Sequence, residues 1–344
     1  MNGVSGYVMM AMERGKTSQR MRIGVIAASV IATSTATFSA NAQEKYPERP
    51  IRLLVPFAAG ASTDIIARKI SARLTPTFGQ TIVVENKTGA AGTIAANDVA
   101  RARPDGYTLI LGTISTHILN PLTMKSIPYD TLKDLSHIYL LGTSTTSITV
   151  HPTVATSLPD LVKRVKAMPG KYSYGSTGQG GIIHLAGELF KLKAGGLDIA
   201  HVPYRGSGAS LNDVLAGQIP IVLMALGTAM PHHRAGKLRA LAAFSAQRSQ
   251  VAPEIPTLSE FGIPGAVAYS CVLLSGTAGT PKHIIEQLYQ AIQALVSDEA
   301  FRKDLLTAGF DPVTDSSPQR ATQFIRDELA KWRPIVKATG ITAD

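Results

Sequence analysis

Four stretches of this chain place small residues, hydroxyls and backbone N–H groups together. Pro56-Phe57-Ala58-Ala59-Gly60-Ala61-Ser62-Thr63-Asp64 runs from an apolar segment directly into a helical pattern. Small side chains let the backbone approach a ligand closely, and a helix start offers unpaired N–H groups with a partial positive charge. That suits a carboxylate or phosphate; the same residues also fit a plain strand-to-helix turn with Thr63 or Asp64 as N-cap. A second stretch, Tyr174-Gly175-Ser176-Thr177-Gly178-Gln179-Gly180-Gly181, leads into a helix that carries His184. Thr113 and Ser115 supply hydroxyls after a third apolar segment, and Arg205 lies in a fourth glycine-rich loop.

The chemistry these loops offer is binding rather than bond-making. Ile183 stands where a dinucleotide fingerprint needs its third glycine, and no Gly-Lys-Ser/Thr phosphate loop exists. There is no G-x-S-x-G nucleophile elbow and no H-E-x-x-H. His184 reads as a helix-start histidine that hydrogen-bonds its own loop, with a ligand contact as the other reading. Cys271, the only cysteine, sits among Tyr269, Val272 and Leu273 and reads as a buried structural residue. One cysteine forms no internal disulfide, and no metal or cofactor is expected.

The elements that must position these loops alternate. Short apolar strands are predicted at 51–55, 81–85, 107–112, 147–151, 172–174 and 199–202. Helical spacing covers 63–74, 93–103, 158–168, 184–193 and 210–215, and three surface helices fill 281–337. Such alternation points to parallel sheets with helices on both faces, whose ligands sit at the carboxyl ends of strands.

Arg14, Lys16, Arg20 and Arg22 precede the apolar run 23–32, and Ala40-Asn41-Ala42 follows. This is the layout of a secretory signal with cleavage after Ala42, starting at Met1 or Met21. The run is far short of the roughly 20 residues a membrane span needs. The 344-residue chain carries 34 Lys+Arg against 24 Asp+Glu, a net +10. Residues 1–42 hold four basic groups and one acidic group, which leaves +7 after cleavage. The remaining basic residues are scattered among acids without interleaved aromatics, which excludes a nucleic-acid footprint.

Beyond these patterns the chain resembles the Bug (TctC-like) receptors, the periplasmic solute-binding proteins of tripartite tricarboxylate transporters. The resemblance spans 46–341 and runs through Tyr46-Pro47-Glu48-Arg49-Pro50-Ile51, the 56–64 loop, Val84-Glu85-Asn86, Pro104-Asp105-Gly106-Tyr107-Thr108 and Tyr174-Gly175-Ser176. It continues through His184-Leu185-Ala186-Gly187-Glu188-Leu189-Phe190, His201-Val202-Pro203-Tyr204 and Gly279-Thr280-Pro281. It implies an α/β, type II Venus-flytrap protein: two domains with mixed sheets flanked by helices, crossed twice by the chain at a hinge. Domain 1 would comprise 43–143 plus 266–344, and domain 2 would comprise 144–265.

The same resemblance implies a periplasmic monomer that captures a small mono-, di- or aromatic carboxylate and delivers it to the membrane subunits of a transporter. Binding would fall to Phe57, Ala58, Ala59, Gly60, Ala61, Thr63, Asp64, Thr113, Ser115, Ser176, Thr177, Gly178, His184 and Met224, with no catalytic residue. Where many relatives carry an Asp, this chain reads Leu223-Met224-Ala225, and Ser270-Cys271-Val272 replaces a Trp-Phe-Gly-like stretch. These departures predict an apolar inner surface and a ligand without an amino group. The readings left beside transport are an exported hydrolase of a related ester and a partner that presents ligand to a membrane sensor.

Overall fold

The computed structural model describes residues 46–342, so the expected signal segment and its cleavage after Ala42 lie outside the described residues. β1 (Ile51–Val55) begins a β-α-β unit because four of its five side chains are fully buried apolar groups. Each such Val, Leu or Ile contributes roughly 1.5–3 kcal/mol through burial. α1 (Ser62–Phe78) packs Ile66, Ala67, Ile70 and Leu74 inward and ends at Gly79, whose φ of 63° is the left-handed cap geometry. β2 (Ile82–Asn86) and, after α2 (Thr93–Ala100), β3 (Thr108–Gly112) both pair parallel with β1.

A π-helical turn at Ser115–Leu119 and α3 (Asn120–Thr123) lead to β4 (Leu135–Val150), a 16-residue strand buried along nearly its whole length. Then follow α4 (Leu158–Ala167), β5 (Tyr172–Ser176), α5 (Ile182–Lys193), β6 (Ile199–Pro203), α6 (Ser207–Leu215), β7 (Ile221–Ala225), α7 (Leu226–Arg234) and β8 (Arg239–Ala243). β9 (Tyr269–Thr277), α8 (Lys282–Ser297), α9 (Glu299–Thr307), β10 (Asp311–Pro312) and α10 (Pro318–Thr339) complete the order.

The strands form one curled, mixed sheet in the order β2-β1-β3-β9-β4-β7-β5-β6, with β8 and β10 also pairing β4. The parallel sheets expected from the alternation hold for β1, β2 and β3 and for β5, β6 and β7. Between these sets stand two antiparallel strands that the alternation did not predict. β4 pairs β9 from Leu135 to Thr145, then changes partners and pairs β7 from Thr146 and β8 from Ser147, both to Val150. The chain returns where Ala268 accepts a hydrogen bond from the Thr146 N–H and donates one to the Phe244 carbonyl, just before β9 begins. α10 covers this junction with Trp332, which is fully buried and donates from Nε1 to Glu328 at 2.8 Å.

Candidate functional site

The loop after β1 is held by one carboxylate. Asp64, 2% exposed, accepts the Gly60 N–H (2.9 Å) and Arg68 Nε (3.0 Å) on Oδ2 and Asn86 Nδ2 (2.9 Å) on Oδ1. Asn86 also donates to the Phe57 carbonyl at 3.0 Å, which ties the end of β2 to the loop. Burial alone would raise the Asp64 carboxyl, but the bonds from Arg68, Gly60 and Asn86 hold it below the usual carboxylate range. Gly60 sits at φ 83°, a conformation that glycine adopts without strain. Asp64 therefore braces the loop and spends its charge internally. The N-cap is Ala61, not Thr63 or Asp64, and no side chain caps the helix start. Ala58, Ala59 and Gly60 are exposed, Phe57 and Ala61 half-buried, and Thr63 buried.

Replacing Asp64 with Ala removes the acceptor for three donors. The expected cost is about 1–3 kcal/mol of stability, together with a loop too loose to hold a ligand. Thermal unfolding and ligand titration of Asp64→Ala check this; an unchanged midpoint and affinity would show that the brace is idle.

The second loop is braced the same way. Ser176, fully buried at the end of β5, donates to the Gly178 carbonyl (3.0 Å), accepts the Gly178 N–H (3.2 Å) and lies 2.7 Å from His201 Nε2. With the hydroxyl proton given to Gly178, the Nε2–H of a neutral His201 donates to Ser176. His184 Nδ1 accepts the Gly180 N–H at 3.1 Å, so this histidine bonds its own loop. Its ring stacks on His201 with centroids 3.7 Å apart and planes 9° apart. Burial first, and then the neighbouring His184, push His201 down to about 4; burial lowers His184 as well. Two neutral rings stack without repulsion. Tyr174 closes the cluster, donating to Glu188 Oε1 at 2.9 Å from beneath α5. α5 starts at Gly181 without a side-chain cap.

The third loop contributes Thr113, whose N–H donates to Thr116 Oγ1 at 3.0 Å. Its own Oγ1 is buried and has no partner among the described residues. Ser115 is half-buried at the start of the π-helical turn. Behind it, His117 and His137 both contact Ser275 Oγ, at 3.1 and 3.0 Å.

The structure thus joins Phe57, Gly60 and Asp64 through Asn86, and Ser176, Gly178 and His184 through His201. Asn86 and His201 were not among the expected site residues. Their signal was present only as polar residues in apolar strands, Asn86 at the end of β2 and His201 in the middle of β6. Met224 is placed elsewhere: its side chain is fully buried in a cluster with Val214, Ile219, Val222, Ala229 and Leu238. The next residue, Ala225, instead reaches a cavity of about 420 Å³. That cavity is lined by Ser62 and Ile65 of α1, Ser144 of β4, Gly227 and Thr228 of α7, and the 306–310 turn. α7 also starts without a side-chain cap, so two uncapped helix starts open into one space. Thr113, Ser115 and the 176–178 loop do not line it. Cys271 is fully buried, and burial pushes its thiol far up, away from the nucleophilic thiolate.

A family model described as "Tripartite tricarboxylate transporter family receptor" matches residues 66–341. Protein BugT of Bordetella pertussis is 35% identical over 299 residues, covering 86% of this chain and 91% of that protein. Among solved structures, R. palustris Rpa4515 with adipate is similar at 33% identity and a TM-score of 0.74, covering 86% of this chain and 99% of that one. MatC from Rhodopseudomonas palustris with bound malate has 29% identity and a TM-score of 0.71, covering 85% and 100%. Uncapped helix starts in braced small-residue loops fit what the match along most of its length shows: the chain belongs to the tripartite tricarboxylate transporter receptor family, whose members are periplasmic solute-binding receptors rather than enzymes.

Proposed function

We propose that this protein is an exported receptor that captures a small carboxylate between two lobes and delivers it, as a monomer, to the membrane subunits of a tripartite tricarboxylate transporter. The lobes are 43–143 plus 266–344 and 144–265, and export removes the segment ending at Ala42. The observation that carries this reading is the pair of loops in which Asp64 and Ser176 are consumed in bracing. Each loop runs into a helix start that no side chain caps. An anion there meets N–H donors and no unpaired carboxylate, and an empty site leaves no buried cation behind.

The ligand we favour has an apolar or aromatic body and no amino group. Ile65, Met230, Val251, Leu306 and Phe310 line the cavity at the starts of α1 and α7 beside the hydroxyl residues Ser62, Ser144, Thr228 and Thr307; its cation, Arg234, is paired with Glu254, and no Asp or Glu lines it to receive an ammonium. The solved relatives with adipate and malate make those two acids the natural first probes. Ligand would favour the closed arrangement by binding it more tightly than the open one.

Thermal-shift and calorimetric titration with adipate, malate, benzoate and glutamate test the proposal. A ligand present at 100 times its Kd adds about 2.7 kcal/mol of stability, a clear rise in the unfolding midpoint. Adipate or benzoate should give that rise and glutamate none. Tight binding of glutamate alone would sink the ligand class, and silence from every carboxylate would sink the receptor reading.

A further inference from the structure

At the far end of α5 from its uncapped start, a recess of about 710 Å³ opens between α4, the residues after α5 and the 259–263 turn. A 12-residue helix is about 18 Å long, so this recess is separate from the ligand loops. Its floor is apolar: Leu158 and Ile263 are buried beneath, and Val162 and a 36% exposed Phe261 form the walls. Its rim is cationic. Lys163 and Lys166 stand on α4 and Lys193 ends α5 opposite them.

None of the three lysines has a salt bridge among the described residues, and the neighbouring acids are already engaged. Asp160 pairs with Arg164, Glu188 with Lys191 and Glu260 with Arg248. Lys166 and Lys193 also complement helix C-termini, but that role needs no apolar trough between them. Leu192, 64% exposed, extends the apolar surface on the other side of α5. Among the described residues only five large apolar side chains are as exposed as Phe261 or more, and two of them, Leu192 and Phe261 itself, flank this helix end.

We infer that this face is a docking surface for an acidic segment of a protein partner, one that sets an aromatic or aliphatic anchor into the trough and carboxylates against the three lysines. Cations on both walls of an apolar floor match several carboxylates spaced along a chain better than the single head of a small amphiphile. Because the face lies a helix length from the ligand loops, a partner docks there without displacing ligand.

The test is fluorescence anisotropy of the full mature chain with a labelled octapeptide, EFEELFEE. Controls are a Lys-for-Glu version, an octaglutamate and decanoate as competitor. The inference expects saturable binding of EFEELFEE that weakens at least tenfold in Lys163→Glu/Lys166→Glu/Lys193→Glu and severalfold in Phe261→Ser. Octaglutamate should bind at least tenfold more weakly, and binding should fall steeply with salt. Circular dichroism shows that each variant is folded, and Lys163→Gln/Lys166→Gln/Lys193→Gln repeats the test without charge reversal. Equal binding by octaglutamate, no change in either triple variant, or full displacement by decanoate would each overturn the inference. None of these results depends on which solute the receptor carries.

Discussion

Gly187→Val should lower the unfolding midpoint by about 5 °C, a loss of roughly 3 kcal/mol. Glycine in the middle of a helix costs about 1 kcal/mol relative to alanine, so its presence in α5 needs a packing reason. The reason is the Tyr174 ring. A Cβ on Gly187 would lie 2.3 Å from Cε2 and Cζ of Tyr174 and 2.5 Å from its hydroxyl, where carbon contacts need about 3.5–4 Å. The ring cannot yield. Tyr174 is 2% exposed, its hydroxyl donates to Glu188, and its other side lies 5.0 Å from the His201 ring.

Moving the ring breaks a hydrogen bond to a charged group, worth about 1.5–3 kcal/mol, on top of the overpacking strain. It also shifts His201, and with it the bond that braces Ser176. Ligand affinity should therefore fall along with stability. Gly187→Ala is the finer probe, because its gain in helix propensity opposes the clash. Scanning calorimetry of both variants checks the argument; a midpoint raised in Gly187→Ala would mean that the ring and helix are not in this contact.

The parts of the fold that were legible are those whose signal is local. The small-residue loops and the helices α4 and α8 carry their periodicity within a few turns. β4 does not: 14 of its 16 residues are buried, because both faces are covered. Without polar alternation, only its last residues could be read as a strand. Nor could the swap of partners at Thr145 and Thr146 be read, since it depends on β9, more than 120 residues later.

In the site, residue type was readable but side-chain direction was not. Along β7 successive side chains face opposite ways, so a shift of one residue exchanges Met224 for Ala225 at the cavity. Similarly, Asp64 looked like a helix cap or ligand contact until Asn86, 22 positions away, was seen to hold it. Long-range partners turned apparent ligand groups into braces.

The histidines make stability strongly pH-dependent, with a sign that can be worked out. Ser275 has one hydroxyl proton between His117 Nε2 and His137 Nδ1. His117 Nδ1 lies 2.9 Å from Thr116 Oγ1 and 3.2 Å from the Thr113 carbonyl; with the Thr116 hydroxyl donating to that carbonyl at 3.0 Å, Nδ1 carries the proton and Nε2 accepts from Ser275. His137 Nδ1–H then donates to the Ser275 oxygen, and both rings are neutral. Burial, reinforced by His137, pushes His117 down to about 3, and burial pushes His137 down to about 4.

In the unfolded chain both titrate near 6.5. Between about pH 6.5 and 4 the unfolded state therefore binds protons that the folded state refuses, and stability falls as pH falls. Each proton bound by the unfolded chain alone costs about 1.4 kcal/mol for every pH unit below its titration point. With allowance for relaxation of the site, the two histidines together cost about 2–4 kcal/mol at pH 5. The unfolding midpoint should hold steady from about pH 8 to 7 and drop by several degrees by about pH 5. Asp64, held low, loses its contribution only at more acid pH, whereas His201, held at about 4, and His184, also lowered, add to the fall in the same window. His137→Leu should remove about one proton from the pH slope of stability, while Ser275 keeps its bond to His117. A midpoint that stays level down to about pH 5, or a slope unchanged in His137→Leu, would show that these rings accept protons inside the fold.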